Sequence, residues 1–411
     1  MPRLNSHPAG RHFLQIPGPT NVPDAVLRAI DHPTIDHRGP EFAALGKKVL
    51  AEIRLVFQTK NPVVIYSASG TGAWEAALVN TLSPGDRVLM AETGQFASLW
   101  KKMADALGLQ VEFIGGDWRS GVDAAQVEAK LAEDRQHAIK AVCVVHNETS
   151  TGVTSNIPAV RRALDKTGHP ALLLVDTISS LGSIDYRHDE WGVDVTVGGS
   201  QKGLMLPPGL GFNAVSDKAL AAAKASKFPK TYWGWAEIIE ANKGGYWPTT
   251  PSTNLLYGLS AALDQLLAEG LPNVFARHHR HGEATRAAVR AWGLEILCRN
   301  PAEYSDALTA ILMPEAFQQP GRDADTLRAH IHARFNMSLG TGLGKVKGKV
   351  FRIGHLGDFN DLTLMGTLSG VEMGLAEFGV PLKASGVLAA QEVLRASGRQ
   401  DQQQQARRAA E

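Results

Sequence analysis

Val63-Val64-Ile65-Tyr66-Ser67-Ala68-Ser69-Gly70-Thr71-Gly72-Ala73 passes from a continuous apolar run into a cluster of small and hydroxyl residues, and helix-spaced apolar residues follow. An apolar run, a small-residue turn and then a helix make a strand–helix unit. The unit repeats. Strands are expected over 63–66, 88–90, 111–114, 142–145 and 172–175, with helices near 73–82, 96–108, 123–133 and 157–167 between them. Several of the runs are almost wholly Val, Ile and Leu, as in strands buried on both faces. Alternation of this kind implies a mainly parallel sheet covered by helices, an α/β fold. Two further strands are expected at 193–197 and 210–215. The gap between them is too short for a crossover helix, so one of them is expected to run antiparallel.

Upstream, Phe42, Leu45, Val49, Ile53 and Val56 share one face of a helix over 41–57. Before it lies Pro17-Gly18-Pro19-Thr20-Asn21-Val22-Pro23, too rich in Pro for a helix or a central strand. The first fifteen or so residues are polar and expected to be loose. After about residue 255 the pattern changes to helices near 255–270, 273–292, 324–335 and 360–378, with short strands near 294–298, 307–313 and 350–354. The expected organisation is an N-terminal arm (1–20), a large domain (21–255), a smaller α+β domain (256–395) and a disordered tail (396–411). The tail carries Gln402-Gln403-Gln404-Gln405.

Lys and Arg number 42 against 41 Asp and Glu, a net charge of +1, which argues against a nucleic-acid or membrane-surface binder. Cys143 and Cys298 are too few for a disulfide framework or a Cys-rich zinc site. No run of about 18 apolar residues and no signal-peptide pattern is present, so a cytoplasmic protein is expected.

Three groups could carry chemistry. Ser69-Gly70-Thr71-Gly72, between a strand and a helix, offers backbone N–H groups, hydroxyls and a helix N-terminus to an anion; an ordinary glycine-rich turn would read the same. As a dinucleotide fingerprint it is incomplete, because Glu75 stands where the third small residue belongs. Lys202, beyond a strand and amid Gly198-Gly199-Ser200-Gln201 and Gly203, can project into a cleft and form a Schiff base if its pKa falls. A solvated loop lysine is the common alternative. Asp176 ends the run Leu172-Leu173-Leu174-Val175. A carboxylate there must be paired, either in a turn or with the nitrogen of a pyridinium ring. All three fall at the carboxyl ends of predicted strands, the edge where open α/β sheets bind ligands. An anion cradle, an acid for a ring nitrogen and an amine nucleophile together are the parts of a pyridoxal phosphate site.

The sequence resembles the fold-type I pyridoxal-phosphate aminotransferases of class V, in the serine–glyoxylate and alanine–glyoxylate branch. The resemblance is carried by Pro17-Gly18-Pro19-Thr20-Asn21, Ser69-Gly70-Thr71-Gly72 with Glu75-Ala76-Ala77, and Glu148-Thr149-Ser150-Thr151-Gly152. It continues through Val175-Asp176 with Ser179-Ser180-Leu181-Gly182, Gly199-Ser200-Gln201-Lys202 with Pro207-Pro208-Gly209, and Lys349-Val350-Phe351-Arg352-Ile353-Gly354. The resemblance implies a large domain with a mainly parallel sheet between helices plus a small C-terminal α+β domain. It implies that Lys202 joins the coenzyme and then carries a proton, and that Asp176 pairs with the ring nitrogen. Ser69, Gly70, Thr71 and Gln201 would hold the phosphate, and Thr149 would lie near the phenolic oxygen. Phe96 matches an aromatic that stacks on the ring, where many relatives have Trp. Arg352 would clamp the substrate carboxylate, with Gly18 near the substrate. The family is typically a homodimer with shared sites, and Thr250 is the best match for a residue reaching the partner's phosphate. His37-Arg38, near the entrance in relatives, would help select polar donors. The implied reaction is L-serine with glyoxylate giving hydroxypyruvate and glycine, with alanine or aspartate as alternative donors.

Other leads carry less. Arg277-His278-His279-Arg280-His281 reads as a solvated helix face rather than a metal site, and no metal is expected. Gly340-Thr341-Gly342-Leu343-Gly344-Lys345 fails the P-loop spacing and reads as a flexible loop near Arg352. Cys143 reads as core. A cysteine desulfurase needs a reactive thiol on a mobile loop, which neither cysteine resembles. A nicotinamide oxidoreductase is disfavoured by the incomplete glycine fingerprint.

Overall fold

The computed structural model describes residues 10–397. In chain order, strand β1 (Phe13–Gln15) leads to helices α1 (Asp24–Ile30) and α2 (Pro40–Phe57). Then come β2 (Val63–Ala68), α3 (Gly70–Thr81), β3 (Arg87–Ala91), α4 (Gln95–Ala106), β4 (Gln110–Ile114), α5 (Ala124–Glu133) and β5 (Ile139–Val145). A small hairpin, β6 (Asn147–Glu148) with β7 (Val153–Thr154), precedes α6 (Ile157–Thr167), β8 (Leu172–Asp176), β9 (Val195–Gly199) and β10 (Gly209–Val215). Helices α7 (Asp217–Ala225), α8 (Trp235–Asn242), α9 (Thr253–Glu269) and α10 (Leu271–Trp292) follow. The last elements are β11 (Glu295–Ile296), β12 (Leu308–Leu312), α11 (Ala324–Phe335), β13 (Met337–Thr341), β14 (Val350–Gly354) and α12 (Asp361–Glu377), with further helix over 386–397.

The larger sheet has the order β2-β10-β9-β8-β5-β3-β4. Its neighbours are parallel except at β10, which pairs antiparallel with both β9 and β2. The expected antiparallel strand is therefore the second of the close pair. Every residue of β8 and β9 is buried, as covering on both faces requires. One face packs Trp74, Leu78 and Trp100 of α3 and α4; the other packs Val127, Val160 and Leu164 of α5 and α6. Local signals set the helix ends. Asn156 caps α6 by accepting from the Ala159 N–H, and Gly168 closes it at φ 60°.

The smaller sheet has the order β1-β13-β14-β12-β11. Trp292, Leu327, Phe351 and Leu368 pack its core with α10, α11 and α12. Here two expectations are corrected. The N-terminal segment is not loose throughout: Phe13–Gln15 pairs in parallel with Met337–Leu339. Gly340 and Thr341 are also strand, paired with Arg352 and Phe351, and Lys345 is ion-paired with Glu92. The expected disorder over 396–411 concerns residues that, after 397, lie outside the described ones.

Candidate active site

The carboxyl ends of β2, β3, β5, β8 and β9 share one edge of the larger sheet. There a cavity of about 190 Å³ is lined by Gly70 and Thr71 at the start of α3, Phe96 on α4, Thr149, Asp176, and Gln201 with Lys202. The structure therefore brings together residues predicted from five separate stretches. Ser69 is the residue immediately before α3, and its side chain makes no capping bond to the helix. A β-carbon at position 70 would lie 2.3 Å from the Ile178 side chain, which would have to shift to admit it.

Lys202 is 8% exposed, and its Nζ donates to the Pro17 carbonyl at 2.6 Å. Burial, reinforced by the Arg352 charge and opposed by Asp176 and Glu148, brings its pKa down to about 7. Asp176 is 3% exposed. Burial raises its pKa to about 7; the Ile178 and Trp74 hydrogen bonds and the Lys202 charge pull it down, while Glu148 pushes it up. Its Oδ1 accepts from the Ile178 N–H at 2.7 Å, as in a turn, yet the residue still faces the cavity. Arg352 donates through Nε to the Thr341 carbonyl at 2.8 Å and through Nη1 to the Thr149 carbonyl at 2.5 Å. Burial lowers its pKa to about 10.

Gly18 lies against Lys202. Thr250 is exposed and does not line the cavity of its own chain; two residues on, Ser252 bonds Ser67. His37 and Arg38 are likewise outside the cavity lining.

Sequence reasoning assigned no part to Glu148, which is fully buried. Its carboxylate accepts from the N–H groups of Phe96 (3.3 Å), Ala97 (3.1 Å) and Ser150 (3.0 Å) and from the Ser150 hydroxyl (2.6 Å). It thus satisfies the free N-terminus of α4, the helix that carries Phe96. A β-carbon at Gly94 would come within 2.4 Å of Glu148 Cγ, so glycine there admits the carboxylate. Trp74, Asn147 and Ile178 also line the cavity unforeseen. Trp74 directly follows the quoted strand–helix stretch, but its contact with Asp176 spans 102 residues and leaves no local signal.

His278 and His281 are fully buried, which corrects the expectation of a solvated face. Both belong to α10, which packs against α9 and α12. His278 Nδ1 bonds the Val274 carbonyl and its Nε2 accepts from the Gly357 N–H. Among the described residues, no three His, Cys, Asp or Glu side chains are grouped to hold a metal ion.

The donor set can hold a phosphorylated aromatic aldehyde. A helix N-terminus with hydroxyls would suit the phosphate, the buried Asp176 carboxylate would suit a ring nitrogen, and the buried Lys202 amine with its lowered pKa would suit a carbonyl. Gln201 Oε1 is buried with no partner among the described residues, so the amide is free to orient its N–H groups toward an anion.

This architecture and edge define a fold-type I transferase. The solved pyridoxamine–pyruvate aminotransferase of Mesorhizobium loti superposes with a TM-score of 0.87 at 28% identity, covering 95% of this chain and 99% of that one. The family described as aminotransferase class-V matches residues 12–319, and the chain belongs to that family. It is 50% identical to a serine–glyoxylate aminotransferase of Methylorubrum extorquens over 94% of this chain and 96% of that protein. It is 47% identical to an L-aspartate–glyoxylate aminotransferase of Paracoccus denitrificans, over 92% and 94%.

Proposed function

We propose that the protein is a pyridoxal-phosphate-dependent aminotransferase that moves the amino group of L-serine to glyoxylate, releasing hydroxypyruvate and glycine. One observation carries the reading. A buried amine whose pKa is lowered to about 7 and a buried carboxylate face the same cavity beside a helix N-terminus. Pyridoxal phosphate, when bound, supplies the electron sink that lets the α-proton of an amino acid leave and carries its amino group.

The chain's own groups do the rest. Ser69, Gly70, Thr71 and Gln201 hold the phosphate. Asp176 would pair with the ring nitrogen, Phe96 would cover the ring face, and Thr149 would lie by the phenolic oxygen. Lys202 is the residue whose Nζ would bond the coenzyme, and as a neutral amine that Nζ would take, hold and return the donor's α-proton. Arg352 binds the substrate carboxylate through the guanidinium edge that its two backbone bonds leave, and Gly18 keeps the arm close to Lys202 without blocking it. We infer a large coenzyme domain (21–255) behind an arm (1–20), and a small domain (256–395) that carries Arg352. We also infer a homodimer in which Thr250 reaches the partner's phosphate and His37-Arg38 line the shared entrance. Two buried free cysteines suit a cytoplasmic setting.

The likeness to the Methylorubrum protein supports serine as donor. The Paracoccus relative supports L-aspartate as the second reading, and alanine is a third. Arg352 is the one cation assigned to a substrate carboxylate, which favours a donor with a single carboxylate. A lyase of the desulfurase kind is disfavoured, since burial pushes the Cys143 thiol up and the Cys298 thiol to about 11. The coenzyme reading is tested by Lys202→Ala: wild-type protein with pyridoxal phosphate is to show a visible band that the variant lacks. A band of equal strength in the variant would contradict it.

A further inference from the structure

Asp176 receives a second hydrogen bond, and it comes from the helix that begins at the phosphate cradle. The Trp74 indole N–H donates to Asp176 Oδ2 at 2.9 Å, while Oδ1 takes the Ile178 N–H. Trp74 is 2% exposed and lines the cavity. Its ring is stacked on Trp100 with centroids 5.8 Å apart and an interplanar angle of 13°, and it stands edge-on to Phe96 at 6.4 Å. The indole therefore has little freedom to turn away from the carboxylate.

We propose that Trp74 is a positioning residue for the reaction: its indole N–H orients the Asp176 carboxylate toward the coenzyme's ring nitrogen and keeps that carboxylate the weaker base of the pair. The inference rests on the pyridoxal phosphate reading above.

An indole is a donor only. It cannot take a proton from its partner, so its bond always favours the ionised carboxylate. The charged groups acting on Asp176 are Glu148, which works against that charge, and Lys202, which supports it. Lys202 is itself committed to the coenzyme's carbonyl carbon in this reading. Trp74 and the Ile178 N–H are then the uncharged donors that oppose the cost of burial. One proton lies between ring nitrogen and carboxylate. Removing the indole donor makes the carboxylate more basic, so that proton would move from the ring nitrogen to Asp176 with no change in proton count. A ring nitrogen without its proton is a poorer electron sink. Because Trp74 is in the second turn of α3 and Ser69-Gly70-Thr71 form its start, one rigid element sets both the phosphate grip and the ring-nitrogen partner.

The test uses holoenzyme carrying pyridoxal phosphate labelled with ¹⁵N in the ring. Wild type is expected to give a pyridinium-like ring-nitrogen resonance. In Trp74→Phe that resonance is to move toward neutral pyridine. Coenzyme affinity, followed by absorbance titration of the apoprotein, is to fall about ten- to a hundredfold, the usual worth of a hydrogen bond to a charged group. Trp100→Phe, which removes the stack but not the donor, is to leave the resonance in place. If Trp74→Phe fails to fold, replacing Trp74 by benzothienylalanine, which has the same shape without the N–H, gives the same readout. An unmoved resonance in the variant without the donor, or an equal shift in Trp100→Phe, would overturn the proposal. A wild-type protein with no visible coenzyme band would instead overturn the reading on which it rests.

Discussion

Lys202 Nζ and the Pro17 carbonyl, 185 positions apart in the chain, are joined by a 2.6 Å hydrogen bond. The N-terminal segment thus closes over the amine assigned to the chemistry. β1 sets the path of that segment by pairing with β13, and Thr20 fixes its far side by donating to the Lys202 carbonyl at 3.1 Å.

Gly18→Ala should disturb this contact. A methyl group at Gly18 would lie 2.3 Å from Lys202 Cδ and 2.5 Å from Nζ, and φ there is +105°, a region that side chains disfavour. Coenzyme capture by the apoprotein is expected to slow about tenfold or more, the scale of one strained residue. Stopped-flow absorbance after mixing with pyridoxal phosphate checks this; capture at the wild-type rate would refute the contact's importance.

The pH dependence of that capture follows from the two central groups. Only the neutral amine of Lys202 attacks a carbonyl, and only the ionised form of Asp176 pairs with a protonated ring nitrogen. Their pKa values, each about 7, both favour capture as pH rises through 7. The midpoint belongs to the pair rather than to either residue. Capture should rise between about pH 6 and 8 and then level off, whereas an unperturbed lysine would keep gaining toward pH 10.

Arg352→Lys should raise KM for the amino donor by about thirtyfold or more, the loss expected when a buried charge pair loses its geometry. Coenzyme affinity should fall much less, because Arg352 reaches the coenzyme contacts only through the Thr149 carbonyl and its charge on Lys202. Steady-state kinetics with a parallel coenzyme titration separates the two. A collapse of coenzyme affinity would mean that Arg352 acts elsewhere.

Acid stability should be limited by buried histidines. Burial lowers His278 and His355 to about 3, and His146, His188 and His281 to about 4, from an ordinary 6.5. Below pH 6.5 the unfolded chain binds protons at these sites and the folded chain does not, so stability falls as pH drops toward the folded values. Each fully buried histidine contributes up to about 1.4 kcal/mol per pH unit. His278→Gln can keep the bonds to Val274 and Gly357 without titrating. Denaturant unfolding between pH 6.5 and 4.5 should show a shallower loss in this variant, and parallel curves would contradict the assignment.

The larger sheet was legible because its central strands, such as β5, β8 and β9, are buried on both faces and so read as apolar runs between helix-spaced ones. The smaller elements were not. Helix α7 buries only Ala219 and so shows no apolar stripe, although Ser216, which caps it by accepting from the Ala219 N–H, was a readable start signal. Strand β13 was hidden by Gly340, whose missing side chain makes room for Pro17: a β-carbon would lie 2.7 Å from Pro17 Cδ. In the site, Gly70, Thr71, Phe96, Thr149, Asp176, Gln201 and Lys202 line the cavity as placed by their motifs, whereas Ser69, Arg352 and Thr250 are outside its lining. Glu148 lies on a quoted motif, but its bonds to Phe96 and Ala97, like that of Trp74 to Asp176, join segments more than 50 residues apart, where no spacing rule applies. His278 and His281 were misread because, lacking metal-ligand spacing, they were assigned to a solvated helix face, while the fold buries both.

The most direct test of the account is to add L-serine to the protein carrying pyridoxal phosphate and record the visible spectrum with product analysis. The yellow colour should bleach as hydroxypyruvate is released, and should return on adding glyoxylate as glycine forms. Colour that ignores L-serine but bleaches with L-aspartate or L-alanine would contradict the serine assignment, and colour that ignores all three would contradict transamination of small amino acids by this site.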